Sequence, residues 1–462
     1  MRSVTLVPGN FRLYITFVFC VLFGCRKDDY KPDFPSGSNE FINSWVLDSM
    51  KVYYYWNSSL PSRPNFNQLP IYFFNGIKNP SDRFSRLINP AVPESYYPSL
   101  LHNFGFDLAV YQSGTEIRTV ITLVVPGTQA QKEGLKRGDI IKQMNGQQPG
   151  AQNAAALIES SIKARKIVLD LEGKGNLNLG AALISENPVY NYRMLDVPGK
   201  KIAYLFLNSF EGRSKYDLQK AFAYFNQEQA TELIADLRYN PGGDIGMAAV
   251  LGAAVAAVAP SDVFVEYRGN ANAGNRKSSF QSTIAAVAAG YTFSFSEVQS
   301  WRLPLKRVFI LTGNHTASAA EFLIKGLRPW IEVVQVGSQT LGKDMASFVI
   351  REKDNPAKVG NWSIEPMIFK LYNSQGSGDY PSGLVPDVSA DEFALPLLEP
   401  GNVNDPLIAA ALNRMGGISS SRISSIGAVQ RSSGPSKLLF PDRNYLDQST
   451  SSSGVRVKLT QR

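Results

Sequence analysis

The sequence predicts an α/β core, a crossover α/β sheet, joined to a β-rich domain and a small N-terminal helical segment. Three observations carry that prediction. Between Lys200 and Val336, apolar runs of strand length alternate with longer helix-like stretches, the spacing expected of βα units in one sheet. From about Phe104 to Gly173 the pattern changes to short strands and turns with one helix. Ahead of both, Phe41, Trp45, Val46, Met50, Tyr53 and Tyr54 recur near i, i+4, i+5 and i+9, largely along one helical face. A chain of 462 residues with 44% hydrophobic and 11% aromatic content can build two or three domains with substantial cores.

In chain order, residues 1–24 carry Arg2 and Arg12, then an apolar run from Leu13 to Gly24 that is too short for an ordinary membrane span and is shaped like an export signal. Leu22-Phe23-Gly24-Cys25 resembles a bacterial lipobox, which implies lipid attachment at Cys25. Arg26-Lys27-Asp28-Asp29 resembles the export signal of Bacteroidetes surface lipoproteins. These resemblances imply an outer-membrane lipoprotein of the bacterial cell envelope, periplasmic or surface-exposed, tethered to the membrane by its N-terminal lipid. A linker is expected over 25–40, rich in Pro, Gly, Ser and Asp, then the helical region over 41–100 and the β-rich domain over 101–188. The α/β core is expected over 189–415. The last 47 residues, 416–462, hold 12 serines and little hydrophobic periodicity, so a tail without fixed structure is expected there.

Within the core, the Lys200 to Leu207 run reads as a strand, Tyr216 to Gln227 as a helix, Glu232 to Leu237 as a strand and Ile245 to Val258 as a small-residue helix. Arg307 to Leu311, Ser318 to Gly326 and Ile331 to Val336 continue as strand, helix and strand. The Pro241-Gly242-Gly243 turn and Ser318 therefore fall at strand-to-helix turns, the edge at which open α/β sheets place their sites.

Those turns carry the chemistry. Ser318, in Thr316-Ala317-Ser318-Ala319-Ala320-Glu321, precedes by 25 positions Lys343 in Thr340-Leu341-Gly342-Lys343. A serine hydroxyl needs a base near neutral pH, and a lysine serves if burial lets its amine lose the proton. Histidine is nearly absent: only His102 and His315 exist, and neither starts an H-E-x-x-H metal motif. No G-x-S-x-G elbow surrounds Ser318. Taken alone, Ser-Ala-Ala-Glu is also a helix capping box and Lys343 an ordinary surface lysine. The third element is Asp236-Leu237-Arg238-Tyr239-Asn240-Pro241-Gly242-Gly243, where glycines leave backbone N–H groups able to face a developing oxyanion.

Together these segments resemble the carboxyl-terminal processing (tail-specific) serine peptidases, relatives of the tricorn core. The resemblance implies that Ser318 is the nucleophile, Lys343 its general base and Glu321 a supporting acid, with N–H groups near Gly243 and Ala319 forming the oxyanion hole. Two positions depart from the family pattern: Ala320 replaces a second serine, and Ser347 stands where many relatives carry a glutamine that orients the lysine. Val124 to Ile141, with Met144-Asn145-Gly146, resembles a bacterial PDZ domain, so the β-rich domain is PDZ-like and the core a peptidase core. Phe104-Gly105-Phe106 resembles the PDZ carboxylate-binding loop, where consecutive N–H groups hold a terminal carboxylate while the adjacent strand edge accepts a peptide. The implied partner is a protein or peptide substrate with a free C-terminus. Asp379 to Asp387 resembles a further family segment whose chemical role the sequence leaves open.

Other readings have sequence support. His315 lies three residues before Ser318 and invites a Ser/His pair, although no buried acid is identifiable to orient it. Ser160-Ser161-Ile162-Lys163 satisfies S-x-x-K, but no K-T-G follows and the segment belongs to the β-rich domain. A peptide-binding lipoprotein with an inactive core is the non-enzyme alternative. The formal charge of +8 is no nucleic-acid footprint, because seven basic and only two acidic residues sit in the tail. Both cysteines, Cys20 and Cys25, lie near the N-terminus, so disulfides and cysteine-metal sites are excluded from the folded part. Neither a metal nor an organic cofactor is implied.

Overall fold

The structure, a computed structural model, describes residues 33–92, 95, 99–287, 290–394, 396–416 and 436–440. The export signal, Cys25, the start of the linker and most of the serine-rich tail lie outside the described residues. Among the described residues no helix is long and apolar enough to cross a membrane.

The expected crossover sheet is present, with six strands. Its order is Val388–Ser389, Glu332–Gly337, Arg307–Thr312, Glu232–Asp236, Ile202–Leu207 and Val189–Leu195. The first five are parallel to their neighbours, and Val189–Leu195 closes the edge antiparallel to Ile202–Leu207. Parallel strands are covered on both faces, which is why their sequences are continuous apolar runs rather than alternating ones. The Ile202–Leu207 strand shows this directly: Ala203, Leu205 and Leu207 face one apolar cluster, and Ile202, Tyr204 and Phe206 face another.

The crossover helices Lys215–Gln227, Ile245–Val255 and Ala319–Leu327 lie on the first face. Ile245–Val255 is wholly buried, consistent with its small and apolar residues on every side. The helix Pro406–Arg414 covers the opposite face through Leu407, Ile408, Ala411 and Leu412. At the N-terminus, Asn39–Tyr53 and Pro70–Ile77 bury one face each around Val46, Met50, Phe73 and Phe74. The PDZ-like module pairs the strands Phe106–Ser113 and Glu116–Val124, with Ala154–Ala164 as its main helix.

The tail differs from its expectation at one place. Lys437–Phe440 is a strand and adds to the free edge of Phe106–Ser113. Its Leu438-Leu439-Phe440 run supplies apolar contacts that the surrounding serines lack.

One buried ionic cluster ties the last helix to the sheet. The Arg238 guanidinium, just past the Glu232–Asp236 strand, donates to Asp236 at 2.8 and 2.9 Å and to Asp405 at 2.9 and 3.0 Å. Asp405 also caps Pro406–Arg414 by accepting from the Leu407 and Ile408 N–H groups. Burial works to raise the Asp405 carboxyl, but the Arg238 charge more than offsets it and holds the carboxyl below its ordinary value. Asp405→Ala leaves Arg238 paired with Asp236 but removes the acceptor of two guanidinium bonds and of the Leu407 and Ile408 N–H groups, and each unmet buried donor costs about 1–3 kcal/mol. The substitution is therefore expected to lower the urea unfolding free energy by about 3 kcal/mol or more. A loss under about 1 kcal/mol, the scale of a solvated pair, would show that the cluster does not hold the helix.

Candidate active site

Ser318 sits between the Arg307–Thr312 strand and the Ala319–Leu327 helix with φ +54° and ψ −119°. Side chains other than glycine rarely adopt this geometry, and it costs of order 1–3 kcal/mol unless the surroundings impose it. They do so through backbone contacts. The Ser318 N–H donates to Glu321 Oε2 at 2.9 Å, and the Ser318 carbonyl accepts from Phe322 at 2.8 Å. Gly242 lies so close that a Cβ there would stand 2.6 Å from Ser318 Cβ. Ser318 itself remains partly exposed.

Asn240 couples the glycine turn to this serine. Its Nδ2 donates to Leu207 O at 2.9 Å, its Oδ1 accepts from the Gly242 N–H at 2.9 Å, and its carbonyl accepts from Ala317 at 3.0 Å. Phe210 fixes the other side of the turn, donating to Gly242 O and accepting from the Asp244 N–H, each at 2.8 Å. A Cβ on Gly243 would meet Phe210 O at 2.3 Å, so with φ +131° only glycine fits there. The candidate donors at Gly243 and Ala319 thus flank the serine on two backbone segments locked to each other.

Lys343 is brought to the same place by Glu321. That carboxylate, fully buried, accepts from the Ser318 N–H, from Thr340 Oγ1 at 2.5 Å, from the Gly342 N–H at 2.7 Å and from the Lys343 N–H at 2.8 Å. Burial pushes its pKa up to about 7, while the four donors pull the other way. Three backbone N–H groups can only donate, so the ionised carboxylate is the form that satisfies them. The Lys343 side chain is buried, its Nζ 5.7 Å from the Phe84 ring centroid. Phe84 packs with Ala317, Leu341, Met345 and Met367, which makes the N-terminal module part of the wall around the lysine. The segment of open role, Asp379 to Asp387, backs the lysine loop. Leu384 N–H donates to Thr340 Oγ1 at 2.7 Å, and a Cβ on Gly383 would be 2.0 Å from Thr340 O.

The other candidates are distributed differently. Ser347 lies in the Met345–Ser347 strand opposite Met367, whereas Glu321 touches both loops. His315 is buried edge-on against the Tyr239 ring, centroids 5.5 Å apart. Ser160 and Lys163 are exposed on Ala154–Ala164 in the other module, and His102 is exposed in the middle of the short helix Leu100–Phe104. In Phe104-Gly105-Phe106 both aromatic rings are buried. The Gly105 N–H donates to the Leu100 and Leu101 carbonyls as a helix cap. Gly105 shapes the loop, with Thr128 filling the space where its side chain would be. Phe84 and Phe210 had no motif to mark them as parts of the site, whereas Thr316 and Tyr239 lie inside the serine and glycine-turn motifs without a task assigned by them. Tyr239 matters because the PDZ-like module reaches it: buried Arg137 bonds the Tyr239 hydroxyl and pairs with Glu392 at 2.9 Å.

Comparison with known proteins places these observations in a family. Residues 201–390 match the model of peptidase family S41, 42–86 that of the peptidase S41 N-terminal domain, and 97–167 that of the PDZ domain. The chain is similar to the carboxy-terminal processing protease CtpA of Bacillus subtilis (strain 168), 25% identical over 334 residues, 70% of this chain and 64% of the relative. It is also similar to a carboxyl-terminal-processing protease of Picosynechococcus sp. (strain ATCC 27264 / PCC 7002 / PR-6), 24% identical over 284 residues, 59% of this chain and 62% of the relative. The chain thus spans just under two thirds of the length of each. Among solved structures, an S41 protease from Bacteroides fragilis NCTC 9343 superposes with a TM-score of 0.66 at 25% identity, covering 85% of this chain and 100% of that one.

His315 yields a pH test. Burial lowers its pKa from 6.5 to about 4, so the folded state favours the neutral ring. Its contribution to stability is complete above the unfolded value of 6.5 and is lost as pH falls through about 4. The full loss is on the order of 3 kcal/mol, most of it already felt near pH 5. His315→Phe is expected to flatten this part of the dependence. Thermal unfolding at pH 7 and pH 5 checks it, and an equal drop in both proteins would show that His315 does not titrate on unfolding.

Proposed function

From a chain whose core belongs to peptidase family S41, with that family's N-terminal domain and a PDZ domain before it, we propose an exported, lipid-anchored serine endopeptidase of the carboxyl-terminal processing type. The observation that carries the proposal is the Glu321 carboxylate, which accepts from the backbone N–H groups of both Ser318 and Lys343 and so ties the loop of the candidate nucleophile to the loop of the candidate base. In this reading Ser318 Oγ attacks a peptide carbonyl carbon as the neutral amine of Lys343 takes the hydroxyl proton. The Gly243 and Ala319 N–H groups stabilise the oxyanion. Collapse expels the leaving amine, which receives the proton from Lys343, and water then hydrolyses the acyl-enzyme. Glu321 is a positioning residue. The substrate is a protein or peptide whose free C-terminus is held at the Phe104-Gly105-Phe106 end of the PDZ-like module.

Ser318→Ala and Lys343→Ala are each expected to reduce peptide hydrolysis by roughly 10⁴-fold or more while melting as the parent does, because nucleophile and base act as a unit. His315→Phe should keep most of the rate. Activity surviving in Lys343→Ala but not in His315→Phe would replace the dyad with a Ser/His pair. In the same assay a free-acid peptide should be cleaved faster than its amide, since amidation removes a charged acceptor. Peptide binding without hydrolysis or fluorophosphonate labelling at Ser318 would favour the inactive binder.

Export rests on the sequence around Cys25. Intact mass of membrane-extracted protein is expected to show a chain beginning at Cys25 and carrying acyl groups, and Cys25→Ser should remove them. An unacylated N-terminus elsewhere would refute the anchor.

A further inference from the structure

The free edge of Phe106–Ser113, the strand that follows Phe104-Gly105-Phe106, is occupied by the chain's own tail. Lys437–Phe440 pairs with it antiparallel, Lys437 opposite Gln112, Leu438 opposite Tyr111 and Phe440 opposite Val110. We propose that this segment is a built-in competitor that holds the peptide-accepting edge of the PDZ-like module until a peptide ligand displaces it.

Three features support the assignment. The first is direction. From Lys437 to Phe440 the tail runs toward the Phe106 end of its partner strand, the direction of a peptide whose C-terminus would reach the Phe104-Gly105-Phe106 loop. The second is side-chain seating. Phe440 is buried in the module's core cluster with Leu108, Val110, Leu157 and Ile158, so it draws on both the strand and the Ala154–Ala164 helix. Leu438 faces the other side, against Ala109, Tyr111 and Leu397. Backbone pairing with alternate side chains in pockets is how added strands are recognised. The third is a fixed entry: the Ser436 N–H donates to the Asp391 carboxylate at 2.9 Å. Asp391 neighbours Glu392, the partner of Arg137.

The match to the PDZ domain covers 97–167, so the occupant comes from outside that domain, some 270 residues further along the chain. A tethered segment acts at an effective concentration of order millimolar, so a short strand with weak intrinsic affinity can still exclude peptides present at micromolar levels. The segment is internal, with residues 441–462 following it, and it therefore presents no carboxylate at Phe440. A ligand with a true C-terminus has that charge in addition to the same ladder, which gives it the means to win.

The role of the edge as a peptide site rests on the proposed function, so the test reads binding and exchange rather than hydrolysis. In the full chain carrying Ser318→Ala, Phe440→Asp should release the segment, and Leu438→Asp should do so from the opposite face. Hydrogen exchange of the Phe106–Ser113 amides should quicken in both variants. A labelled peptide Ser-Lys-Leu-Leu-Phe with a free carboxylate should bind them about tenfold or more tightly than the parent, as removal of a tethered competitor requires. The proposal is overturned by unchanged exchange in both variants, by unchanged peptide affinity once the edge is open, or by protection that falls on dilution, which would make the occupant a second copy's tail. Failure of Ser318 as nucleophile would leave all these readouts intact, so the two ideas fail separately.

Discussion

Everything proposed at this site depends on where one buried carboxylate is held. Glu321 lies one helical turn beyond Ser318, yet three of its four hydrogen bonds come from residues 340–343, on the far side of another strand. A hydrogen bond to a charged group contributes about 1.5–3 kcal/mol, and an unmet buried N–H costs about 1–3 kcal/mol. The carboxylate and the two loops are therefore stable only together. That mutual dependence also accounts for the backbone of Ser318, whose positive φ would otherwise be unfavourable. The helix start, the lysine loop and the segment behind it form one cooperative unit.

The sheet supplies the frame for this unit. Arg307–Thr312 and Glu332–Gly337 are neighbouring parallel strands, so the loops leaving their C-terminal ends emerge side by side. Glu232–Asp236 lies on the other flank of Arg307–Thr312 and delivers the glycine turn next to Ser318. Three consecutive strands thus bring three sequence-distant motifs to one edge. The Arg238 cluster closes the opposite face beneath them, since Asp236 and Arg238 stand at the exit of the strand that carries the glycine turn.

Much of this was legible in the sequence, for a physical reason. The serine, lysine and glycine motifs are local patterns, and βα alternation predicts which strand ends carry them. Thr316 and Thr340 belong to those patterns, although only the structure gives their tasks: Thr316 Oγ1 donates to Leu237 O and Thr340 Oγ1 to Glu321. What stayed hidden comes from packing between distant segments. Phe84 approaches Lys343 from the N-terminal module, Phe210 pins the glycine turn from the loop over 208–212, and Arg137 reaches Tyr239 from the PDZ-like module. No periodicity records such contacts. The tail strand was hidden because four residues inside a serine-rich stretch show no strand signal until a partner edge supplies the ladder.

These contacts make the peptidase core dependent on its neighbours in two different ways. The N-terminal module closes an apolar wall beside the lysine through Phe84, a contribution to dielectric environment that requires no motion. The PDZ-like module packs Leu123 into an apolar cluster of the core and adds a polar network, in which Arg137, Tyr239 and Glu392 meet one residue before Asn240, the residue that bonds both the glycine turn and Ala317. Polar networks have discrete arrangements because each donor must find a specific acceptor, whereas an apolar wall tolerates small shifts. A change at the edge of the PDZ-like module therefore has a physical route to the glycine turn through residues 391–393, which bond both the tail strand and Arg137. The N-terminal module has its own polar contact with the lysine loop, since Arg83 donates to Leu341 O and to Pro381 O, so the two modules address different parts of the site: one the lysine loop, the other the glycine turn.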